Sequence, residues 1–148
     1  MHPGSPRGNG FELTIAPERG AVARANAAFT AFAEANAVPA GVRRSLNVAL
    51  DELLQNTIAH GFAGRQAGKG GAVTIAVELA TDRVTVTLTD DGRPFDPLGA
   101  ATPDTAGSLE ERPVGGLGIH LVRQLMDEVR YQRSADRNVV TLVKRLED

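Results

Sequence analysis

The sequence contains no cysteine and no tryptophan, and aromatic residues make up only 4% of its 148 positions. Without cysteine the chain can form neither disulfide bonds nor thiolate metal sites, which suits a reducing compartment. Hydrophobic residues still account for 42%, so the core must be built from alanine, valine, leucine and isoleucine. A chain of this length is sufficient for one domain with a real core.

A strong charge of one sign and long apolar runs are also lacking. The formal net charge is -2, so no global field attracts nucleic acid or an anionic membrane. No apolar run approaches the ~20 residues of a membrane span, and MHPGSPRGNG at the start lacks the apolar segment of a signal peptide. We therefore expect a cytoplasmic protein without nucleic-acid or membrane partners, with a disordered tail over residues 1–10 and a single domain over 11–148.

Hydrophobic periodicity predicts the order strand, helix, helix, two strands, helix, two strands. The predicted strands are residues 11–16, 72–79, 83–90, 130–135 and 138–146, with a turn around 136–138 joining the last two. The predicted helices are residues 17–36, 39–60 and 116–129. This order predicts an α+β fold, a two-layer sandwich in which a mixed, mostly antiparallel sheet carries three helices on one face.

A long irregular stretch, residues 91–114, interrupts this pattern. Connections longer than about 12–15 residues are usually functional or disordered. This one lies between a pair of acids and a cluster of glycines, which makes the polar and glycine residues around it candidates for a functional site.

Glu52 and Asn56, in DELLQNTIAH, are four residues apart and share one face of the second helix. A carboxylate can accept a proton, and an amide oxygen is a ligand suited to Mg²⁺. Taken alone, the better interpretation is a pair of solvated side chains.

Asp90 ends a predicted strand, and Gly92 permits close approach of another backbone. A carboxylate there can accept a hydrogen bond from an exocyclic amine such as that of adenine, although an ordinary Asp-Gly turn explains the pattern as well. Gly115, Gly116 and Gly118 lead into the third helix, where unshielded N–H groups can bind phosphate, or where the helix start is simply flexible. The pattern is neither a Walker A loop nor a Rossmann turn.

In this order, the three clusters resemble the Bergerat-fold (GHKL) ATP-binding family, and within it the anti-sigma-factor serine kinases of the RsbW type. ALDELLQNTIAH matches the N box, TDDGRPFDP the first glycine box and GGLGIHLVRQLMDEV the second. The resemblance covers roughly residues 11–145.

The resemblance implies a role for each cluster. Asp90 would receive the adenine amino group of ATP, Asn56 would hold Mg²⁺, and Glu52 would act as general base toward an acceptor serine. Residues 97–114 would form the ATP lid, and nucleotide-binding glycines would be Gly92, Gly115, Gly116 and Gly118. The implied protein is a serine kinase that phosphorylates an anti-anti-sigma (STAS) partner, sequesters a sigma factor and forms a homodimer.

The chain departs from the family pattern at several positions. Pro94 replaces a second glycine of the first glycine box, and Asn138 stands where relatives often have glycine. The usual adenine-contacting threonine has only a weak candidate, Thr141. Arg93 and Arg112 could reach phosphates or could be surface charges.

Three alternatives remain open at this point. The chain could be a nucleotide-binding partner-switch module without transfer, although a pure binder needs no base at Glu52. It could be the ATP-binding domain of a sensor histidine kinase, although no helical dimerisation segment with a phospho-acceptor histidine precedes it in this sequence. It could also be an α/β domain that binds no nucleotide.

Overall fold

The computed structural model of the protein describes residues 9–18, 20–62, 71–98 and 115–146, with only the backbone described for 115–117. Five strands form one sheet in the order β1-β2-β3-β5-β4, and every neighbouring pair is antiparallel. The strands are β1 (Asn9–Ile15), β2 (Val73–Leu79), β3 (Arg83–Asp90), β4 (Glu128–Ser134) and β5 (Arg137–Arg145).

Three α-helices accompany the sheet: α1 (Ala21–Ala35), α2 (Ala40–Asn56) and α3 (Gly115–Leu125). A single π-helical turn, Thr57–Gly61, continues α2. The predicted fold class, an α+β sandwich of an antiparallel sheet and three helices, is confirmed. Within the described residues, every helix is too short or too polar to cross a membrane.

Alternating burial along the strands explains why the helices pack on the sheet. In β3, the residues that alternate from Val84 to Asp90 are buried, whereas Thr85, Thr87 and Thr89 are only partly buried. Such alternation is what a sheet with one covered face requires. α2 lies at the centre of the helical layer, since its apolar stripe includes Leu46, Leu50, Leu53 and Leu54, all fully buried.

The structure corrects several predicted boundaries. α1 begins at Ala21 rather than at residue 17, and α3 ends at Leu125 rather than at 129, so that β4 already begins at Glu128. β1 begins at Asn9 and therefore includes two residues assigned to the tail. α2 ends at Asn56, four residues before the predicted end, because the chain widens into the π-helical turn there. The β4–β5 turn consists of Ala135 and Asp136, both with positive φ, so Asn138 belongs to the strand rather than to the turn.

Register fixes where the strand ends meet. Asp90 lies opposite Val73 of β2 on one side and opposite Asn138 of β5 on the other. Residues directly opposite one another in an antiparallel pair point to the same face of the sheet. Asp90 and Asn138 therefore share the helix-covered face at one end of the sheet.

We expect the core to depend on the stripe of α2. Leu50→Ala should lower the free energy of unfolding by about 2–5 kcal/mol, because Leu50 is fully buried and its loss leaves a cavity. The matched control is Leu121→Ala in α3, where the side chain is 43% exposed and the cost should be under about 1 kcal/mol. Urea denaturation of both variants measures the difference, and equal losses would contradict the assignment of α2 to the core.

Candidate functional site

Asp90 is a buried carboxylate at the end of β3, only 5% exposed. Its Oδ1 accepts hydrogen bonds from the Gly92 backbone N–H at 2.9 Å and from Nδ2 of Asn138 at 2.9 Å. Both bonds go to the same oxygen, which leaves Oδ2 without a hydrogen bond from any residue that the structure describes. The next residue, Asp91, points away and is exposed, and its Oδ1 accepts a bond from the Ala72 N–H.

The π-helical turn lies beside Asp90. A Cβ atom placed on Gly61 would be 3.9 Å from Asp90 Oδ1 and 3.9 Å from Cγ2 of Thr57, so the end of the turn borders the carboxylate. Arg93 closes the turn, because its backbone N–H bonds the Gly61 carbonyl at 3.0 Å and its Nε bonds the His60 carbonyl at 2.9 Å. Such π-helical turns occur frequently at functional sites.

Gly92 makes this arrangement possible because it has no side chain. A Cβ atom at Gly92 would lie 2.6 Å from the Gly61 carbonyl oxygen, a distance that a real Cβ does not reach. Residue 92 must therefore be glycine, because two backbone segments approach each other closely at this position.

Glu52 and Asn56 meet, as their spacing predicts. Nδ2 of Asn56 donates to Oε2 of Glu52 at 3.2 Å. Asn56 is 8% exposed and Glu52 is partly buried, so the interpretation as two solvated surface groups is wrong.

Gly118 faces this pair from the first turns of α3. A Cβ atom at Gly118 would overlap the carboxylate group of Glu52. α2 and α3 therefore pack so closely that the Glu52 carboxylate occupies the space where a side chain of α3 would otherwise be. Gly115 and Gly116 open the same helix, in agreement with a glycine-rich helix start.

The site thus has two ends joined by the C-terminal part of α2. One end carries a buried carboxylate with an oxygen that no described residue bonds, which suits a hydrogen-bond donor on a ligand. The other end carries a carboxylate and an amide beside a helix N-terminus, where N–H groups and the helix dipole favour anions.

The second end offers one amide oxygen as a possible metal ligand. Asn56 commits its Nδ2 to Glu52, so its Oδ1 remains as a hard oxygen ligand of the kind Mg²⁺ accepts. In the described ranges no group of three or more histidine or acidic side chains is arranged to hold a metal ion. The residues therefore fit a magnesium ion that takes most of its other ligands from water and phosphate oxygens.

Two other candidates are placed away from the anticipated contacts. Thr141 lies opposite Thr87 on β3, an odd number of residues from Asn138 and Asp90, so it points to the other face of the sheet. The proposal that Thr141 contacts adenine is therefore wrong. Arg93 is used to close the π-helical turn, and Arg112 lies outside the described residues.

Of the predicted lid, residues 97–114, only the first two belong to the described part. Both are buried, and the carbonyl of Leu98 accepts a hydrogen bond from Nη2 of Arg123 at 3.2 Å. The remaining lid residues lie outside the described ranges, so the lid remains a prediction.

Sequence reasoning missed the role of Asn138, which it placed only at the junction of the predicted turn around 136–138 and the last strand. Asn138 is 2% exposed and bonds Asp90 directly. A signal was available, since Asn138, Val140 and Leu142 follow the period of two that marks the covered face of β5.

The family model for the histidine kinase-like ATPase domain matches residues 15–144. A match over nearly the whole chain shows that this protein belongs to the histidine kinase-like ATPase family, which confirms the resemblance found in the sequence.

Particular relatives narrow the comparison. The chain is 32% identical over 103 residues to the serine/threonine-protein kinase BtrW of Bordetella bronchiseptica, an alignment that covers 70% of each chain. It is 37% identical over 94 residues to the serine-protein kinase RsbW of Bacillus subtilis, covering 59% of this chain and 55% of that protein. The alignment thus spans little more than half of the Bacillus protein.

A solved structure shares the fold. A Mycobacterium tuberculosis protein containing RsbU and RsbW domains superimposes on 93% of this chain and 32% of its own with a TM-score of 0.66. The sequence identity is 18%, so this likeness concerns the fold alone.

The surroundings of the glycines predict three different outcomes for the same substitution. Gly92→Ala should destabilise the protein by about 1–3 kcal/mol, because the new methyl group meets a backbone carbonyl that cannot move freely. Gly118→Ala should change stability little, because the obstacle is the flexible end of Glu52, which can rotate away.

Gly41→Ala in α2 is the control for helix propensity. Nothing lies within 4 Å of a Cβ at Gly41, so alanine should stabilise the helix by up to about 1 kcal/mol. Thermal unfolding of the three variants gives the order. A Gly92→Ala protein as stable as Gly41→Ala would contradict the close approach of the two backbones.

Proposed function

We propose that this protein binds Mg-ATP and transfers the γ-phosphoryl group to a serine of a small anti-anti-sigma (STAS) protein, as an RsbW-type kinase and anti-sigma factor. The observation that carries the proposal is the contact of the Glu52 carboxylate with Asn56 and with the glycine-rich start of α3. This contact brings a candidate base and a candidate magnesium ligand to the place where phosphates would bind.

The adenine end is assigned to Asp90. Its Oδ1 is occupied by two protein donors, and its Oδ2 would accept from the exocyclic amino group of the base. Gly92 lines the same end by letting the first glycine box approach the π-helical turn. A fixed acceptor of this kind selects for a base that presents a donor.

The phosphate end is assigned to the start of α3. Gly115, Gly116 and Gly118 would offer N–H groups to the phosphates without interference from side chains. Asn56 Oδ1 would hold Mg²⁺, which neutralises phosphate charge when bound. Glu52 would accept the proton of the serine hydroxyl as it attacks, a role that asks for position more than for covalent chemistry.

The choice of partner rests on the relatives. The similar proteins BtrW and RsbW are named as serine/threonine-protein and serine-protein kinases, which supports serine as the acceptor. A STAS protein as substrate, a sigma factor as second partner, a homodimer and a cytoplasmic location complete the proposal by resemblance to the anti-sigma branch of the family.

Asp90→Asn should weaken ATP binding by roughly 10- to 150-fold while the fold is retained. The reason is that a hydrogen bond to a charged group contributes about 1.5–3 kcal/mol. Calorimetric titration with ATP and Mg²⁺ measures the change, and circular dichroism reports the fold. Asp91→Asn is the matched control, since Asp91 is exposed and points away from the site. Equal ATP affinity in wild type and Asp90→Asn would remove the adenine assignment.

Glu52→Gln should abolish phosphoryl transfer and leave ATP affinity within a few-fold. A general base acts in the transition state, so its loss appears in rate rather than in ground-state binding. Positioned bases contribute typically about 10²–10⁴-fold. Asn56→Ala should weaken both Mg-ATP binding and transfer, because a metal ligand acts in both states.

Single-turnover transfer of labelled phosphate from ATP to a purified STAS protein is the measurement. Asp51→Asn serves as control, because the neighbouring acid Asp51 bonds only Gln55 on the solvent side of α2 among the described residues. If Glu52→Gln transfers at the wild-type rate, the base is another group. If the wild type labels no partner although it binds ATP, a nucleotide-bound partner-switch module is the better function.

A further inference from the structure

Asn138 makes four hydrogen bonds and is nearly inaccessible to solvent, 2% exposed. Its Nδ2 donates to Asp90 Oδ1 at 2.9 Å and to the Arg93 carbonyl at 2.8 Å. Its Oδ1 accepts from the Phe95 N–H at 3.2 Å and from the Tyr131 hydroxyl at 2.6 Å. The side chain therefore uses both halves of its amide.

The orientation of this amide is fixed by its backbone partners. A backbone N–H can only donate, so the atom facing Phe95 must be the oxygen. A backbone carbonyl can only accept, so the atom facing Arg93 must be the nitrogen. It follows that Asn138 donates to Asp90, and that Asp90 Oδ1 acts as acceptor in this contact.

Tyr131 in β4 contributes a further hydrogen bond to the Asn138 amide. Burial raises the pKa of the Tyr131 phenol above its usual value, and the charge of Asp96 acts in the same direction, while Arg133 opposes it. The hydroxyl therefore remains protonated at neutral pH and continues to donate to the Asn138 oxygen. Because the Phe95 N–H and the Arg93 carbonyl already fix the orientation of the amide, this bond from the hydroxyl adds a second hold on its oxygen.

These contacts fix the orientation of the Asp90 carboxylate. With Asn138 and Gly92 both bonded to Oδ1, rotation of the carboxylate would break two hydrogen bonds in a buried environment, where unpaired polar groups are costly. Oδ2 is thereby held in one position, ready to accept.

We propose that Asn138 is a positioning and specificity-determining residue, which fixes the Asp90 carboxylate so that its free oxygen selects a purine carrying a 6-amino group. This inference rests on the proposed nucleotide site. A purely structural Asn138 would only connect the segment 93–95 to the sheet, and its loss would weaken every nucleotide equally.

The discriminating probe is inosine triphosphate, which carries an oxygen in place of the 6-amino group. The measured quantity is the ratio of the ITP to the ATP dissociation constant, by calorimetry with Mg²⁺. The wild type should prefer ATP by at least about 10-fold, as expected for one hydrogen bond to a charged group. Asp90→Asn should bring the ratio close to one.

Asn138→Leu, of similar size but without a donor, should reduce the ratio several-fold and change ITP affinity by less than about three-fold. Tyr131→Phe should reduce it about two- to five-fold, since one neutral hydrogen bond that orients the amide is lost. Tyr131→Phe keeps the packing of the ring, so it decides the question alone if Asn138→Leu does not fold. Thr141→Val, on the opposite face of the same strand, should leave the ratio unchanged.

The outcomes separate the two proposals. If the wild type prefers ATP and Asp90→Asn removes the preference, but neither Asn138→Leu nor Tyr131→Phe narrows the ratio, the positioning role is wrong and the nucleotide site stands. If the wild type binds neither nucleotide, or binds both equally, the adenine assignment itself fails. If either variant lowers the ratio of the ITP to the ATP dissociation constant and still binds ITP, the positioning role of Asn138 is supported.

Discussion

The burial of the Asp90 carboxylate constrains the whole of this end of the molecule. A carboxylate at 5% exposure is tolerated only when protein donors replace water. One donor, the Gly92 N–H, requires two backbones to approach so closely that residue 92 can carry no side chain. The other, Asn138, requires the β3–β5 register to place it opposite Asp90. Sheet register, the first glycine box and the π-helical turn are therefore fixed around one charge.

Much of the fold could be predicted because the hydrophobic periodicity of a helix or strand depends only on residues close together in the sequence. β3 was predicted with its observed bounds, Arg83–Asp90, since every second residue is apolar until the strand ends on an acid. Two of the errors fall where residues distant in the sequence determine the local structure. α2 changes to a π-helical turn after Asn56, where Arg93 provides donors from another part of the chain. Asn138 was predicted at the junction of a turn around 136–138 and the last strand, whereas its partners in the 93–95 segment hold it within β5.

In the candidate site, too, local contacts could be predicted and contacts between distant elements could not. The pairing of Glu52 with Asn56 could be read from a spacing of four on a helix. The contact of Glu52 with Gly118 could not, because it depends on how closely α3 packs on α2. Sequence reasoning assigned Gly118 to the phosphates for its bare backbone. The structure adds a second reason for the glycine, namely the space that the Glu52 carboxylate fills.

The two ends of the site differ in how firmly their carboxylates are held. Among the described residues, Asp90 receives two hydrogen bonds at 2.9 Å in a buried environment, whereas partly buried Glu52 receives one at 3.2 Å from Asn56. Under the proposed function this difference is useful. Base recognition benefits from an acceptor that is oriented before the ligand arrives. A general base must instead turn toward a serine that only the docked partner brings, and catalytic contacts in free enzymes are often long for this reason. Because the two carboxylates are held by different neighbours, docking of the proposed partner would adjust the position of Glu52, and with it the rate of transfer, without loosening the contacts proposed to hold the nucleotide.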